Sequence, residues 1–289
     1  MIVYENLLGG FINECNDNLI ANVIAYNMKV NSLPFSNAEM NSWAESLPAI
    51  SKALDNPEIN KDLNVAVEYK FDFRKNRIDF RVYGKNDNDI NSMVVVELKQ
   101  WSKSSKTSKK MNYVYTSGPN GDMDYLHPSF QSYAYKRTLE GFNEYVQDNN
   151  VDIASCSYLH NMSHNYDFVF NDYDKYPFVV ESPVFLRDDE DKLREFVKKH
   201  VTHGNRKLLY EINNGAIRPS KYLSTMLANA INGQPVFTLD DEQANSVSTI
   251  IYEVVSAIEH KKGKTIIIKG GHGSGKSAVA INALGQLIH

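Results

Sequence analysis

The chain has 289 residues, 42% hydrophobic and 23% charged, with a formal net charge of −4, the balance of a soluble globular protein of one large domain or two ordinary ones. No apolar run approaches the ~18 residues a membrane helix needs, and the start, MIVYENLLGGFINEC, lacks the basic opening and long apolar core of a signal peptide. Only Cys15 and Cys156 occur, without a CxxC, which excludes a disulfide framework or zinc ribbon and points to a reducing cytoplasm. The net charge leaves nucleic acid open as a partner, because local patches decide that.

In chain order, residues 11–30 carry a helical period with Ile12, Leu19, Val23, Ile24 and Met28 on one side, broken at Ser32-Leu33-Pro34. A second helix is expected from Ser36, since Ser36-Asn37-Ala38-Glu39 fits a capping box, and it runs past Trp43, Leu47, Ile50 and Leu54 to Asp55-Asn56-Pro57. Val65 to Phe73 alternates as a strand, Arg74-Lys75-Asn76 turns, and Ile78, Phe80 and Val82 alternate with Asp79, Arg81 and Tyr83 on the returning strand. Lys85 to Ser92 reads as a polar loop. Val94-Val95-Val96 is then a continuous apolar run, expected of a strand buried on both faces.

That run ends in Glu97-Leu98-Lys99. Residues two apart on a strand share a face, so Glu97 and Lys99 point together. Asp79 and Glu97 can supply hard oxygen ligands to Mg²⁺ or Mn²⁺; the metal would activate a water and neutralise phosphate charge. Lys99 would steady the attacking hydroxide or the developing phosphorane. This set suits phosphodiester cutting, although any surface strand can carry an Asp, a Glu and a Lys.

After Trp101, Lys103, Lys106, Lys109 and Lys110 lie in a lysine- and serine-rich loop that either follows a phosphate backbone or is simply solvated. His127-Pro128-Ser129 opens a helix with proline in the first turn, and Gln131 and Tyr135 share a face of it one turn apart. Ile153 to Leu159 and Phe178 to Val180 read as strands, and Asp188 to Lys199 as a charged amphipathic helix. His160 and His164 have the spacing of some zinc pairs but no third clear ligand. Arg218-Pro219-Ser220-Lys221 starts a helix ending near Asn232-Gly233.

Lys264 to Ile268 is a short β-branched run, followed by Gly270-Gly-His-Gly273-Ser-Gly275-Lys276-Ser277 and a helix of small residues. GxxxxGK[ST] between a strand and a helix is the P-loop pattern. Its glycines let backbone N–H groups wrap the phosphates of ATP; Lys276 would reach the β- and γ-phosphates and Ser277 would hold Mg²⁺.

Asp79, Glu97-Leu-Lys99 and Gln131-x-x-x-Tyr135 together resemble the PD-(D/E)XK nucleases of the RecB type. The resemblance implies that Gln131 and Tyr135 face the substrate and site, against plain packing for Tyr135. It also implies a further acid from the first helix: Glu14, Glu39 or Glu45, with Glu39 preferred one turn before Trp43, and Glu68 standing at the rim. Glu39 competes with its own cap. Relatives with an iron–sulfur cluster need four cysteines, so no cluster is expected. Phe237 to Ala244, with Gln243, resembles the Q-motif of superfamily-1 helicases, whose glutamine reads the adenine edge.

Over nearly its whole length the chain resembles bacterial nuclease–helicase proteins with a Schlafen-group-related motor, through SW-x-x-SL, RIDF, ELKQW, HPSFQSYAY, SPVFL, IRPSK and the P-loop. The fold expected is α/β: a PD-(D/E)XK restriction-endonuclease-like core, a mixed sheet flanked by helices, over residues 1–232, then the beginning of a RecA-like P-loop ATPase domain over 233–289. The expected function is a metal-dependent nuclease on nucleic acid, DNA favoured, tied to an ATP-driven helicase and to defence against phage. The other reading is a nucleic-acid sensor with an ATP switch and an inactive nuclease fold. With the chain ending at His289, soon after the P-loop, a fragment of a longer motor is expected, and no membrane partner.

Overall fold

The computed structural model describes residues 2–70, 77–106, 108–110, 112–118, 121–218, 239, 241–271 and 274–288. The chain divides into two compact units, Met1–Arg218 and Pro219–His289. The expected turn at 74–76, residues 219–232 of the helix expected from Arg218, and Gly273 of the glycine-rich run lie outside the described residues.

The first unit opens with β1 (Ile2–Leu7), α1 (Leu8–Asn16), α2 (Ile20–Val30) and α3 (Asn37–Leu54). The single helical stretch expected over 11–30 is in fact two helices. Asn18 takes a φ of 57° between them, a left-handed conformation that asparagine tolerates better than most residues. The capping box forms as expected: Ser36 Oγ accepts from Glu39 N at 3.2 Å, and Ser36 N donates to Glu39 Oε2 at 2.7 Å.

β2 (Asn64–Lys70), β3 (Arg77–Lys85) and β4 (Asn91–Lys99) follow. The loop expected from Lys85 to Ser92 is shorter, because Asn86 Oδ1 accepts from both Asn88 N and Ile90 N and closes a tight turn. β5 (Ser104–Lys106), β6 (Tyr113–Gly118) and β7 (Gly121–Leu126) then form a small antiparallel sheet that strand patterning did not reveal. Next come α4 (Pro128–Phe142), α5 (Glu144–Asp148), β8 (Asp152–Leu159), α6 (Asp167–Phe170), β9 (Val184–Leu186), α7 (Glu190–His200), β10 (His203–Gly204) and α8 (Arg206–Asn214). The strand expected at Phe178–Val180 is a 3₁₀ turn over Pro177–Val180; Pro177 sets its first φ and offers no N–H to a ladder.

Among the described residues the main sheet runs β1-β2-β3-β4-β8-β9, with β10 pairing β3. β1 to β4 are antiparallel, while β4–β8 and β8–β9 are parallel, so the sheet is mixed. Helices cover both faces, and side-chain alternation decides what each face packs. Val94 and Val96 of β4 join Phe80, Val82 and Cys156 against Leu8, Phe11, Trp43 and Leu47 of the first helices. Met93 and Val95 instead join Ile153 against Tyr135 and Leu139 of α4 and Leu208 and Leu209 of α8. Val94, Val95 and Val96 are all fully buried, each worth about 1.5–3 kcal/mol relative to exposure. A third cluster of Trp101, Val114, Leu159, Phe170 and Tyr176 sits where the small sheet meets the ends of the large one.

In the second unit, helices Asp241–Glu259 and Lys276–Ile288 pack through Val247, Val279 and Ala283. The run Lys264 to Ile268 has no ladder partner among the described residues, and Ile267 is 73% exposed. A strand needs a hydrogen-bonded neighbour, and none is described there. No described helix is long and apolar enough to cross a membrane.

Candidate active site

The antiparallel ladder of β3 and β4 runs from Lys85↔Asn91 to Phe80↔Val96. Past that pair the Asp79 side chain takes the place of backbone: its Oδ2 accepts from Leu98 N at 3.0 Å. On the other side β4 stays paired in parallel with β8 through Glu97↔Ser157 to Lys99↔Leu159. β4 is thus held along one edge while its other edge receives a carboxylate.

Glu97 and Lys99 share the face that alternation assigns them, and Lys99 Nζ donates to Glu97 Oε1 at 2.6 Å. Glu97 is 3% exposed, and its Oε2 is buried with no hydrogen-bond partner. Burial, then the charge of Asp79, pushes the Glu97 carboxyl up to about 8, against the pull of Lys99. Burial also opposes the Lys99 ammonium, yet the charges of Glu97 and Asp79 outweigh it and hold its pKa above the usual value. Both groups thus hold their protons more tightly than in water: Glu97 because it is buried and sits beside the charge of Asp79, Lys99 because two acids surround it. Lys99 Nζ also lies 5.7 Å from the Trp101 ring centroid.

The structure brings Asp79, Glu97 and Lys99 together, while the helix residues stand differently. Tyr135 is 4% exposed and packs in the core with Val95, Met93 and Leu139. Gln131 is half-buried one turn earlier, in the first turns of α4. That helix is anchored at its start: His127 Nδ1 accepts from Ser129 N at 3.1 Å, and its Nε2 lies 3.0 Å from Phe170 O. Glu39 is half-buried and its carboxylate closes the α3 cap. Glu14 accepts from Asn6 Nδ2 at 3.1 Å, and Glu45 is exposed. Glu68 is the acid that reaches this region from its own strand; its Oε1 accepts from Trp43 Nε1 at 2.7 Å.

Motif reading also missed a polar clasp beside the site. Gln100, directly after Lys99, donates to Ser42 O and Ser46 Oγ at 3.3 Å, and His160 Nε2 lies 3.2 Å from the same Ser46 Oγ. Asn161 Nδ2 donates to Gln100 O at 3.3 Å. The ends of β4 and β8 are thereby tied to α3. His160, which shares the spacing of some zinc pairs with His164 but has no third clear ligand, belongs to this clasp, where burial holds its pKa below the usual value. Around the small sheet, Lys103, Lys109 and Lys110 are exposed.

Among the described residues no group of three or more His, Cys, Asp or Glu is placed to hold a metal ion. Asp79 and Glu97 nonetheless suit a hard divalent cation: they are oxygen donors that repel one another, and the orphaned Glu97 Oε2 is the atom a cation would satisfy.

In the second unit Gly275 has a φ of 79°, which glycine accepts freely. Gln243 Nε2 donates to Ser274 O at 3.3 Å, so the glutamine stands against the glycine-rich run. Lys276 Nζ folds back onto Gly270 O at 3.0 Å and Gly271 O at 2.7 Å. Ser277 is exposed in the first turn of its helix. No family model, curated protein or solved structure matches the chain.

Proposed function

We propose that this chain is a nuclease dependent on Mg²⁺ or Mn²⁺ that cuts phosphodiester bonds of nucleic acid, DNA favoured, joined to the ATP-binding start of a helicase motor and serving antiviral defence. The observation that carries the reading is the Asp79–Glu97–Lys99 group, with a buried Glu97 carboxylate oxygen left unsatisfied near the end of β4. Asp79 and Glu97 would hold the cation, which when bound supplies an activated water and neutralises phosphate charge. Lys99, kept protonated by its two acidic neighbours, donates a hydrogen bond to charge developing on the phosphate. Gln131 is available from α4 to orient the strand, and the exposed Lys103, Lys109 and Lys110 to follow its backbone. In the second unit, Lys276 and Ser277 would serve the phosphates and Mg²⁺ of ATP, with Gly270, Gly273 and Gly275 leaving room for backbone donors, and Gln243 would read the base.

The test is cleavage of labelled single- and double-stranded DNA with Mg²⁺ or Mn²⁺. Asp79→Asn and Lys99→Met should each lower the rate about 100-fold or more, the scale expected when one group stabilising the transition state is lost, and EDTA should abolish it. Variants that cut like wild type would refute the assignment. The alternative, a nucleic-acid sensor with an ATP switch, is favoured by the lack of a three-ligand group among the described residues. It predicts strand binding without metal-dependent cutting.

A further inference from the structure

The backbone of β2 breaks at Glu68. Its φ is 55°, a conformation that a non-glycine residue seldom adopts inside a strand and that marks stored strain. Both ladders skip it: Tyr4 faces Val67 and Ile2 faces Tyr69 on one side, while Val67 faces Phe80 and Tyr69 faces Ile78 on the other. The same registers put Glu68 level with Asp79, and the Phe80↔Val96 pair puts Asp79 level with Glu97. Three acids thus stand in one row across three neighbouring strands.

The kink gives Glu68 a fixed partner. Trp43 Nε1 on α3 donates to its Oε1 at 2.7 Å, and both residues are buried, Trp43 at 4% and Glu68 at 7% exposure. Burying a carboxylate is costly without compensation. Its charge is also felt by Glu97, whose Oε2 faces no donor. Among the described residues no three such side chains form a group that could hold an ion directly. Mg²⁺ and similar ions retain several waters, and the carboxylates that orient those waters affect metal affinity strongly.

We propose that Glu68, held in place by the Trp43 indole, is an outer carboxylate of the metal site that accepts hydrogen bonds from the waters of a cation held by Asp79 and Glu97. The proposal rests on the nuclease reading of that site. Trp43 acts only through Glu68 and is a positioning residue.

The experiment titrates Mn²⁺ alone into the full chain and follows free Mn²⁺ by electron paramagnetic resonance, without substrate or turnover. Glu68→Gln, which keeps an acceptor for the indole and removes the charge, should weaken Mn²⁺ binding about 10- to 100-fold, as loss of outer partners does. Trp43→Phe should weaken it in the same direction, and the double variant should be no worse than Glu68→Gln alone. Urea unfolding of each variant separates lost affinity from lost structure, and Glu68→Gln carries the test should Trp43→Phe fold poorly. If Glu68→Gln binds Mn²⁺ like wild type while Asp79→Asn loses it, the inference falls and the nuclease reading stands. If wild type binds no more Mn²⁺ than Asp79→Asn, both fall.

Discussion

His127 makes stability depend on pH in a direction and amount that can be worked out. Its ring is fully buried against Tyr176 and Phe178, with centroids at 4.5 and 5.1 Å. Because Nδ1 accepts from the backbone N–H of Ser129, the proton sits on Nε2, which donates to Phe170 O. A second proton would remove that acceptor and bury a cation. Burial first, with the nearby Lys175 adding to it and the Phe170 carbonyl opposing, lowers the pKa from 6.5 to about 3. The unfolded chain therefore binds this proton below about pH 6.5 while the folded chain does not. Stability is fully present above that pH and is lost as pH falls toward 3.

At pH 5 the loss is about 1.5 pH units at ~1.36 kcal/mol each, or about 2 kcal/mol. The control is His127→Asn, which retains a side-chain acceptor at the N-cap of α4 but does not titrate. Every other ionisable group is common to both proteins, so their difference isolates the ring. Both tryptophans, Trp43 and Trp101, lie in the first unit, so their fluorescence during urea unfolding reports that unit alone. With a urea slope of about 2 kcal/mol/M, the wild-type midpoint should fall by ~1 M more than the variant's between pH 7.5 and pH 5. Equal shifts in the two proteins would refute the reasoning.

Two further predictions concern the core and the second unit. Phe80 is fully buried on β3 and packs 5.2 Å from Phe11, so Phe80→Ala should cost about 3–5 kcal/mol in urea unfolding; a loss near zero would mean the strand is not core. Lys276→Ala removes the ammonium that lies on the glycine-rich run. It should weaken binding of a fluorescent ATP analogue about tenfold or more, some 1.4 kcal/mol, yet leave cleavage of a short strand by this chain unchanged. A cleavage loss matching that of Lys99→Met would tie the run to the first unit's integrity.

Several features were legible because their causes are local. The Ser36–Glu39 cap needs only four consecutive residues, and it forms as read. The run Val94-Val95-Val96 has enough apolar surface to occupy a strand covered on both faces, and alternation alone puts Glu97 beside Lys99. Short-range signals failed where tertiary context outweighed propensity. Pro177 turned an apolar run into a 3₁₀ turn, and Asn18 divided one helical stretch into two.

Sequence by itself determined the periodicity of the strands, the cap of α3 and which acids and lysine accompany β3 and β4. Only the tertiary structure decided which of those acids meet. Asp79 reaches the Leu98 N–H across 19 residues of chain, and Trp43 reaches Glu68 across 25. Both contacts depend on strand register and on the packing of α3 over the sheet, which side-chain type and spacing do not encode locally. Glu39, the acid preferred for its place one turn before Trp43, closes its own helix, whereas Glu68 stands in the row because the pairing of β2 with β3 carries it there.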